Sequence, residues 1–450
     1  MHGFTRETEQ LTQQVFDLIL TRWRRAPWKL GGSATPEALA GRSGQTITRA
    51  GLGGPAALRR WVDDLGPATI AADHPRYLAF IPHAPTEAAM IFDLLVGASG
   101  IYGGSWLEAA GAVHAENEAL QWLAGLAGFP PTSGGTFVPG GTLGNLSALH
   151  AARHAASIKR GGGRPVRWRI AASIEAHSSI AQTARILDVD LVEVPVDEDH
   201  RLTGRALRAA FDGGTDNGIF AVVASAGATN LGTIDDLESV AEVCRERGAW
   251  LHVDGAYGLA ALAAPSKRAA FAGVERADSF IVDPHKWLFA PYDCCALLYR
   301  DPSLARAAHS QSATYLDAIN TRREWNPADY AVQLSRRVRG LPFWFSLAVH
   351  GTDAYAEAIE TTLSVTGKAA EAIKARPELE LLLDPTLSIV VFRRRGWNAA
   401  DYDAWSARLL DLGTAFVAPT SFRGETVARL AILNPQTTVE DIELVLDSMR

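Results

Sequence analysis

DDLESVAEVCRERGAWLHVD, residues 235–254, decides the fold. Its first fourteen residues carry apolar positions at helical spacing, acids at the start, arginines late and Gly248 at the stop, the pattern of a capped helix. The last six are apolar and end on an acid, the pattern of a buried strand. IFAVVAS (219–225) and SFIVD (279–283) show the same strand pattern on either side. From about residue 71 to 310 such runs alternate with Ala/Leu-rich helical segments. Apolar strands alternating with helices predict an α/β fold with a mostly parallel sheet covered on both faces. Ligands of such sheets bind beyond the carboxyl ends of the strands, so the residues just after each strand carry the functional interest.

The 450 residues exceed what one hydrophobic core serves, which predicts a large domain and a smaller one. A formal net charge of -7 argues against nucleic acid as a partner, because phosphate neutralisation needs a basic face. The arginine-rich TRWRRAP (21–27) and FRRRGW (392–397) read as solvated surface. The three cysteines, Cys244, Cys294 and Cys295, form no C-x-x-C pair, which argues against a zinc site or a disulfide framework. They read as small buried residues in a reducing compartment. The opening MHGFTRETEQ lacks the apolar run of a signal peptide, and no stretch reaches the roughly 20 unbroken apolar residues of a membrane span. A cytoplasmic protein is expected.

Outside the alternating region, residues 6–24 carry Leu11, Val15, Phe16, Ile19, Leu20 and Trp23 on one face of a helix. That stripe needs a covering surface, and a second subunit would supply one. A Gly/Pro/Ser/Thr-rich stretch follows over 31–55. The polar, irregular run 311–335 reads as a long functional loop. Beyond it, 340–376 reads as a helix or a pair of helices, LSIVVFRR (387–394) and ETVARLAILN (425–434) as strands, and TVEDIELVLDSM (438–449) as a closing helix started by Thr438. The expected organisation is a helical arm over 1–70, a large domain over 71–335 and a small α+β domain over 336–450.

Four segments at strand ends carry chemistry. VPGGTLGNLSALHAAR (138–153) places Gly140, Gly141 and Thr142 before an Ala-rich helix. Glycines and a helix N-terminus suit an anion, although a structural turn has the same look. His177 follows the strand WRIAAS; it reads either as a structural hydrogen-bonding histidine or as a ring stacked on a planar cofactor. Asp254 ends a buried strand, where a carboxylate is costly unless paired. A metal, a helix cap or a protonated pyridine nitrogen would each serve as partner. Lys286, in SFIVDPHKW (279–287), is one of only six lysines against 37 arginines. Arginine cannot form a Schiff base, whereas a desolvated lysine can act as a nucleophile, and the apolar neighbours argue against a surface lysine. In this order the four supply what pyridoxal 5′-phosphate (PLP) needs: a phosphate cradle, a face contact, a pyridinium partner and an imine lysine.

From about residue 74 to the C-terminus the chain resembles the group II PLP-dependent decarboxylases, the aromatic-L-amino-acid decarboxylase family of fold type I. The resemblance is carried by HPRYLAF (74–80), GGT with Asn145, His177, AGATNLGTIDDL (226–237), HVDGAYG (252–258), ADSFIVDPHKW (277–287), SRRVRGLPFW (335–344) and NPQTTVEDI (434–442). It implies a seven-stranded sheet between helices, Lys286 as the internal aldimine lysine, Asp254 on the pyridine nitrogen and His177 on the ring. It further implies Gly140, Gly141, Thr142 and His285 near the phosphate, Thr229 and Ala256 along the ring, and Phe80 and Trp106 toward the substrate. A homodimer with shared active sites and an exchanged N-terminal segment is also implied.

Two departures bear on the outcome of the reaction. Ala109-Ala110-Gly111 replaces the family's Ser-Pro-Ala, while Trp106 and Glu116 are kept. The loop, about 316–334, is shorter than the family's; Tyr330 is its candidate for the family's catalytic, proton-donating tyrosine, although it sits closer to SRR than that tyrosine does. Decarboxylation of an L-amino acid with an aromatic or bulky apolar side chain is the leading expectation. Relatives that lose the loop tyrosine decarboxylate and then oxidatively deaminate, which is the second. Aminotransfer or Cβ chemistry is the third, and a non-catalytic PLP-fold protein the fourth.

Overall fold

The computed structural model describes residues 2–24, 29–213, 218–311 and 324–450. Seven strands form the central sheet: β1 (Gly134–Val138), β2 (Arg169–Ser173), β3 (Asp190–Val194), β4 (Ile219–Ser225), β5 (Trp250–Asp254), β6 (Ser279–Val282) and β7 (Cys295–Tyr299). Their order is β1-β7-β6-β5-β4-β2-β3. Strands β2 to β6 pair in parallel. Strand β7 is antiparallel to both β6 and β1, so the double reversal returns β1 to the direction of β6. The carboxyl ends of β1, β2, β4, β5 and β6 therefore share one edge.

The local chemistry accounts for this arrangement. The helix Leu237–Arg247 starts where the Asp236 carboxylate accepts from the Ser239 N–H and stops at Gly248 with φ 65. Its Leu237, Val240, Ala241, Val243 and Cys244 are buried, so the chain must return through the interior, as β5. Every residue of β5 and of β6 is buried, the signature of a parallel sheet covered on both faces. Along β4, Val222 and Ala224 face one core while Phe220, Ala221 and Val223 face the other. The helix Gly141–Lys159 crosses the sheet at close range: a Cβ on Gly144 would lie 2.7 Å from Ile281 Cγ2. Cys294 and Cys295 are fully buried, and burial pushes both thiols well up.

The C-terminal part begins with the long helix Leu341–Lys374, which Gly351 breaks with φ 75 and ψ 163; two helices run on in sequence. A four-stranded antiparallel sheet follows, β8 (Leu379–Leu381), β9 (Ile389–Arg394), β10 (Thr420–Phe422) and β11 (Glu425–Ala431), in the order β10-β11-β9-β8. The closing helix Val439–Asp447 carries a reciprocal cap between Thr438 and Asp441.

The helix Arg6–Arg24 has no buried residue in this chain. The stretch 31–55 holds a short helix, Pro36–Ser43, capped by Thr35. Of the expected loop 311–335, residues 312–323 lie outside the described residues. The remainder is tied down: Trp325 stacks on Tyr330 with centroids 4.0 Å apart, the Tyr299 hydroxyl donates to the Tyr330 carbonyl, and the Val332 N–H donates to Ser147 Oγ. Among the described residues no helix is long and apolar enough to cross a membrane.

Candidate active site

A cavity of about 240 Å³ opens at the shared edge, lined by Gly140, Gly141, Thr142, Asn145, His177, Ser179, Ser225, Gly227, Ala228, Thr229, Asp254, Ala256, Tyr257, Asp283, His285 and Lys286. β1 delivers Gly140–Thr142, β2 leads to His177, β4 to Thr229, β5 ends on Asp254, and β6 leads to Asp283–Lys286. All nine residues expected at the cofactor from the sequence line this one cavity. Tyr330, Phe80 and Trp106 do not. Tyr330 is buried against Trp325, and burial pushes its phenol up to about 12. Phe80 is 60% exposed and rests against Phe416. The Trp106 N–H is bound by Asn326 Oδ1 at 3.0 Å.

At one end, no side chain caps the N-terminus of the Gly141–Lys159 helix. A Cβ on Gly141 would lie 3.2 Å from Ala256 Cβ and 3.4 Å from Asp283 Oδ2, so only glycine leaves this corner open. Free amides, the helix dipole and open space suit a phosphate. The His285 ring accepts from the Cys294 N–H at Nδ1 (3.0 Å), which puts its proton on Nε2, 3.5 Å from Asp283 Oδ2.

Asp254, opposite, accepts from Asn145 Nδ2 at Oδ2 (2.9 Å) and from the Ala256 N–H at Oδ1 (3.2 Å). His177 caps the Ser178–Ile186 helix by accepting the Ser179 N–H at Nδ1, which leaves Nε2 to carry its proton. Ser179 Oγ lies 2.9 Å from His177 Nδ1 and 3.0 Å from Asn145 Nδ2, joining the two.

Lys286 Nζ lies 2.9 Å from Asp283 Oδ2. Burial disfavours the Lys286 ammonium, but the Asp283 charge and hydrogen bond outweigh it and hold the amine above the ordinary lysine value. Asp283 responds in the opposite sense: burial would raise it, and Lys286 with His285 bring it below the usual carboxylate range. Asp283 Oδ1 has no hydrogen-bond partner among the described residues, with the Cys295 thiol alongside.

Asp283 was not among the expected site residues, although an acid three residues before a lysine is a helical pair visible in DPHKW. Nor was Arg429 on β11. Only 4% exposed, Arg429 donates to the carbonyls of Thr229 (2.6 Å), Phe80 (2.7 Å) and Asn230 (3.1 Å), tying the small sheet to the cavity wall. Burial lowers its guanidinium to about 10. A lone arginine inside the apolar run TVARLAIL was the available signal.

An α/β sheet whose strand ends gather a glycine turn, an acid and a half-buried lysine in one cavity presents the groups that a PLP enzyme uses. Residues 63–395 match the pyridoxal-dependent decarboxylase conserved domain. An aromatic-L-amino-acid decarboxylase of Bacillus atrophaeus is 30% identical over 82% of this chain and 79% of its own. An L-2,4-diaminobutyrate decarboxylase of Rhizobium meliloti is 32% identical over 84% and 77%. The solved structure of Oryza sativa TDC with PLP and tryptamine matches with a TM-score of 0.92 at 24% identity, covering 100% of this chain and 99% of that one. The chain belongs to the pyridoxal-dependent decarboxylase family and is a PLP-dependent amino-acid decarboxylase.

Proposed function

We propose that Lys286 is the amine that holds the PLP aldehyde, that Asp254 faces the ring nitrogen, and that the substrate is an L-amino acid with an aromatic or bulky apolar side chain. The observation that carries the site assignment is the meeting of Lys286, Asp254 and the open Gly140–Thr142 corner in one cavity. Bound PLP supplies the electron sink for the electron pair left when the carboxylate departs. The chain supplies the rest. Helix amides at Gly141 and Thr142, with His285, take the phosphate. His177 covers one face of the ring, and Thr229 and Ala256 line it. The carboxylate of Asp254, fixed by donors at both oxygens, holds a proton on the ring nitrogen.

Phe80 and Trp106 face the substrate in this reading. Their placement outside the cavity of the single chain accords with a site completed by a second subunit. The same partner covers the apolar stripe of Arg6–Arg24, which has no buried residue here. The functional unit is accordingly a homodimer, in the cytoplasm.

Incubating the PLP-loaded protein with each of the twenty amino acids, and measuring CO₂, amine and peroxide, tests the reaction and its substrate. Equal CO₂ and amine from an aromatic or bulky apolar substrate is the expected result. Aldehyde, ammonia and peroxide would assign oxidative deamination instead, and a substrate with a charged side chain would overturn the substrate proposal.

A further inference from the structure

Trp250, His252 and Asp254 alternate along β5 and so project from one face of the sheet, toward the Gly141–Lys159 helix that carries Asn145. His252 is 0% exposed. An unbroken file of hydrogen bonds runs behind Asp254: Trp250 Nε1 to Ser279 Oγ (2.8 Å), Ser279 Oγ to His252 Nδ1 (2.8 Å), His252 Nε2 to Asn145 Oδ1 (2.8 Å) and Asn145 Nδ2 to Asp254 Oδ2 (2.9 Å).

The chemistry of the groups fixes the direction of every bond. An indole N–H only donates, so Ser279 Oγ accepts from Trp250 and has its own proton to give. Burial lowers His252 to about 4, so the ring is neutral and carries one proton. The reverse orientation of the Asn145 amide would set its oxygen against Asp254 Oδ2, acceptor against acceptor. Its nitrogen therefore faces the acid and its oxygen faces His252. That oxygen only accepts, so His252 carries its proton on Nε2 and takes the Ser279 proton at Nδ1. All four donors point toward Asp254.

We infer that His252, Asn145 and Ser279 are positioning residues, a one-way donor chain that fixes how Asp254 meets the ring nitrogen of the cofactor and so sustains the proton on that nitrogen. The inference rests on the proposed assignment of Asp254 to that nitrogen. A donor aligned by a neighbour is strengthened by it, because hydrogen bonds in series polarise one another in a low-dielectric interior. Breaking the file at His252 leaves Asn145 Oδ1 buried without a donor and frees the amide to rotate. The carboxylate then loses both its orientation and its strongest side-chain donor.

The test uses the full-length protein loaded with PLP carrying ¹⁵N in the ring, and follows the ring-nitrogen chemical shift against pH. In the wild type the nitrogen stays protonated through about pH 6–9, well above the range of a free pyridine. His252→Phe fills the same space without donating. Its ring nitrogen is expected to lose the proton at least about one pH unit lower, a tenfold change in the protonation equilibrium. His252→Gln, whose amide offers a donor to Asn145 and an acceptor to Ser279, is expected to restore the wild-type titration. A merely structural histidine would change the melting temperature and leave the titration where it was; that result overturns the inference. Should His252→Phe fail to fold, Ser279→Ala removes the far donor with little change in volume, and an unshifted titration there is equally contrary. A wild-type ring nitrogen that is unprotonated throughout would contradict the Asp254 assignment itself, whereas a protonated wild type with indifferent variants would contradict the donor chain alone.

Discussion

Arg336–Glu116 and Lys286–Asp283 are buried pairs of opposite charge that are built differently. Arg336 and Glu116 meet at 2.8 Å with side chains 0% and 3% exposed. Both Glu116 oxygens are engaged: Oε1 accepts from Arg336 Nη2 and from the Gly340 N–H, and Oε2 faces Arg336 Nη1. Arg336 also donates to the Gly103 carbonyl, so the pair staples the start of the Leu341–Lys374 helix to the 101–104 segment. Lys286 and Asp283 instead leave one carboxylate oxygen without a partner, keep the lysine 23% exposed and face a cavity. The Arg336–Glu116 pair is closed to solvent, although Arg336 Nε finds no hydrogen-bond partner among the described residues. What separates the two pairs is therefore the space beside them: Lys286 and Asp283 line an open cavity that can admit a ligand, whereas Arg336 and Glu116 are packed in the interior.

The largest expected effect separates the pairs by function. Lys286→Ala abolishes the absorbance band near about 420 nm expected of protein-bound PLP and lowers kcat/KM by on the order of 10⁴-fold or more, with a loss of about 1–3 kcal/mol of stability because the buried Asp283 carboxylate loses its ammonium partner. Arg336→Met acts chiefly on stability. Leaving Glu116 charged and alone in the interior costs about 3–5 kcal/mol of stability in denaturant unfolding. Adding Glu116→Leu returns most of that loss, since two apolar residues of similar size replace the pair. A double variant as unstable as the single one would show that the Glu116 contacts to Gly340 matter more than the charge.

Asp283→Asn sharpens the comparison through pH. A carboxyl depressed in the folded state contributes stability above its unfolded range, and that contribution is lost as pH falls through the folded value. Lys286, raised in the folded state, contributes below its unfolded value and loses that contribution as pH rises through the folded one. The substitution is therefore expected to cost about 1–3 kcal/mol near neutrality. The difference from wild type should close both below the carboxylate range and above the ordinary lysine value, as thermal melts across pH would show. The smallest effect is expected from Tyr330→Phe. The Tyr330 carbonyl, not its hydroxyl, accepts from Tyr299, so stability should change by no more than about 0.5 kcal/mol and CO₂ and amine should still appear in equal amounts. Aldehyde from this variant would place Tyr330 in the reaction after all.

The parallel sheet and its ligand edge were legible because strand ends announce themselves: an apolar run closing on Gly140, Asp254 or the DPHKW turn fixes position by chain chemistry alone. The helix stop at Gly248 and the Thr438 cap were legible for the same reason. What local pattern could not supply were pairings between distant residues. Asn145 and Asp254 are 109 residues apart, and Arg429 reaches the Phe80 carbonyl across 349; no periodicity encodes either. Tyr330 illustrates the converse. Composition marked its segment as an irregular loop, yet its ring is directed into a stack with Trp325, a choice set by the packing of β1 and not by the spacing of the loop.

The most direct measurement is borohydride reduction of the PLP-loaded protein, followed by proteolysis and mass spectrometry of the peptides. A single pyridoxyl-modified peptide is expected, with the added mass on Lys286 and none of it on the other five lysines of the chain. Modification at a different lysine, or a protein that takes up PLP without any reducible bond to Lys286, would contradict the assignment of Lys286.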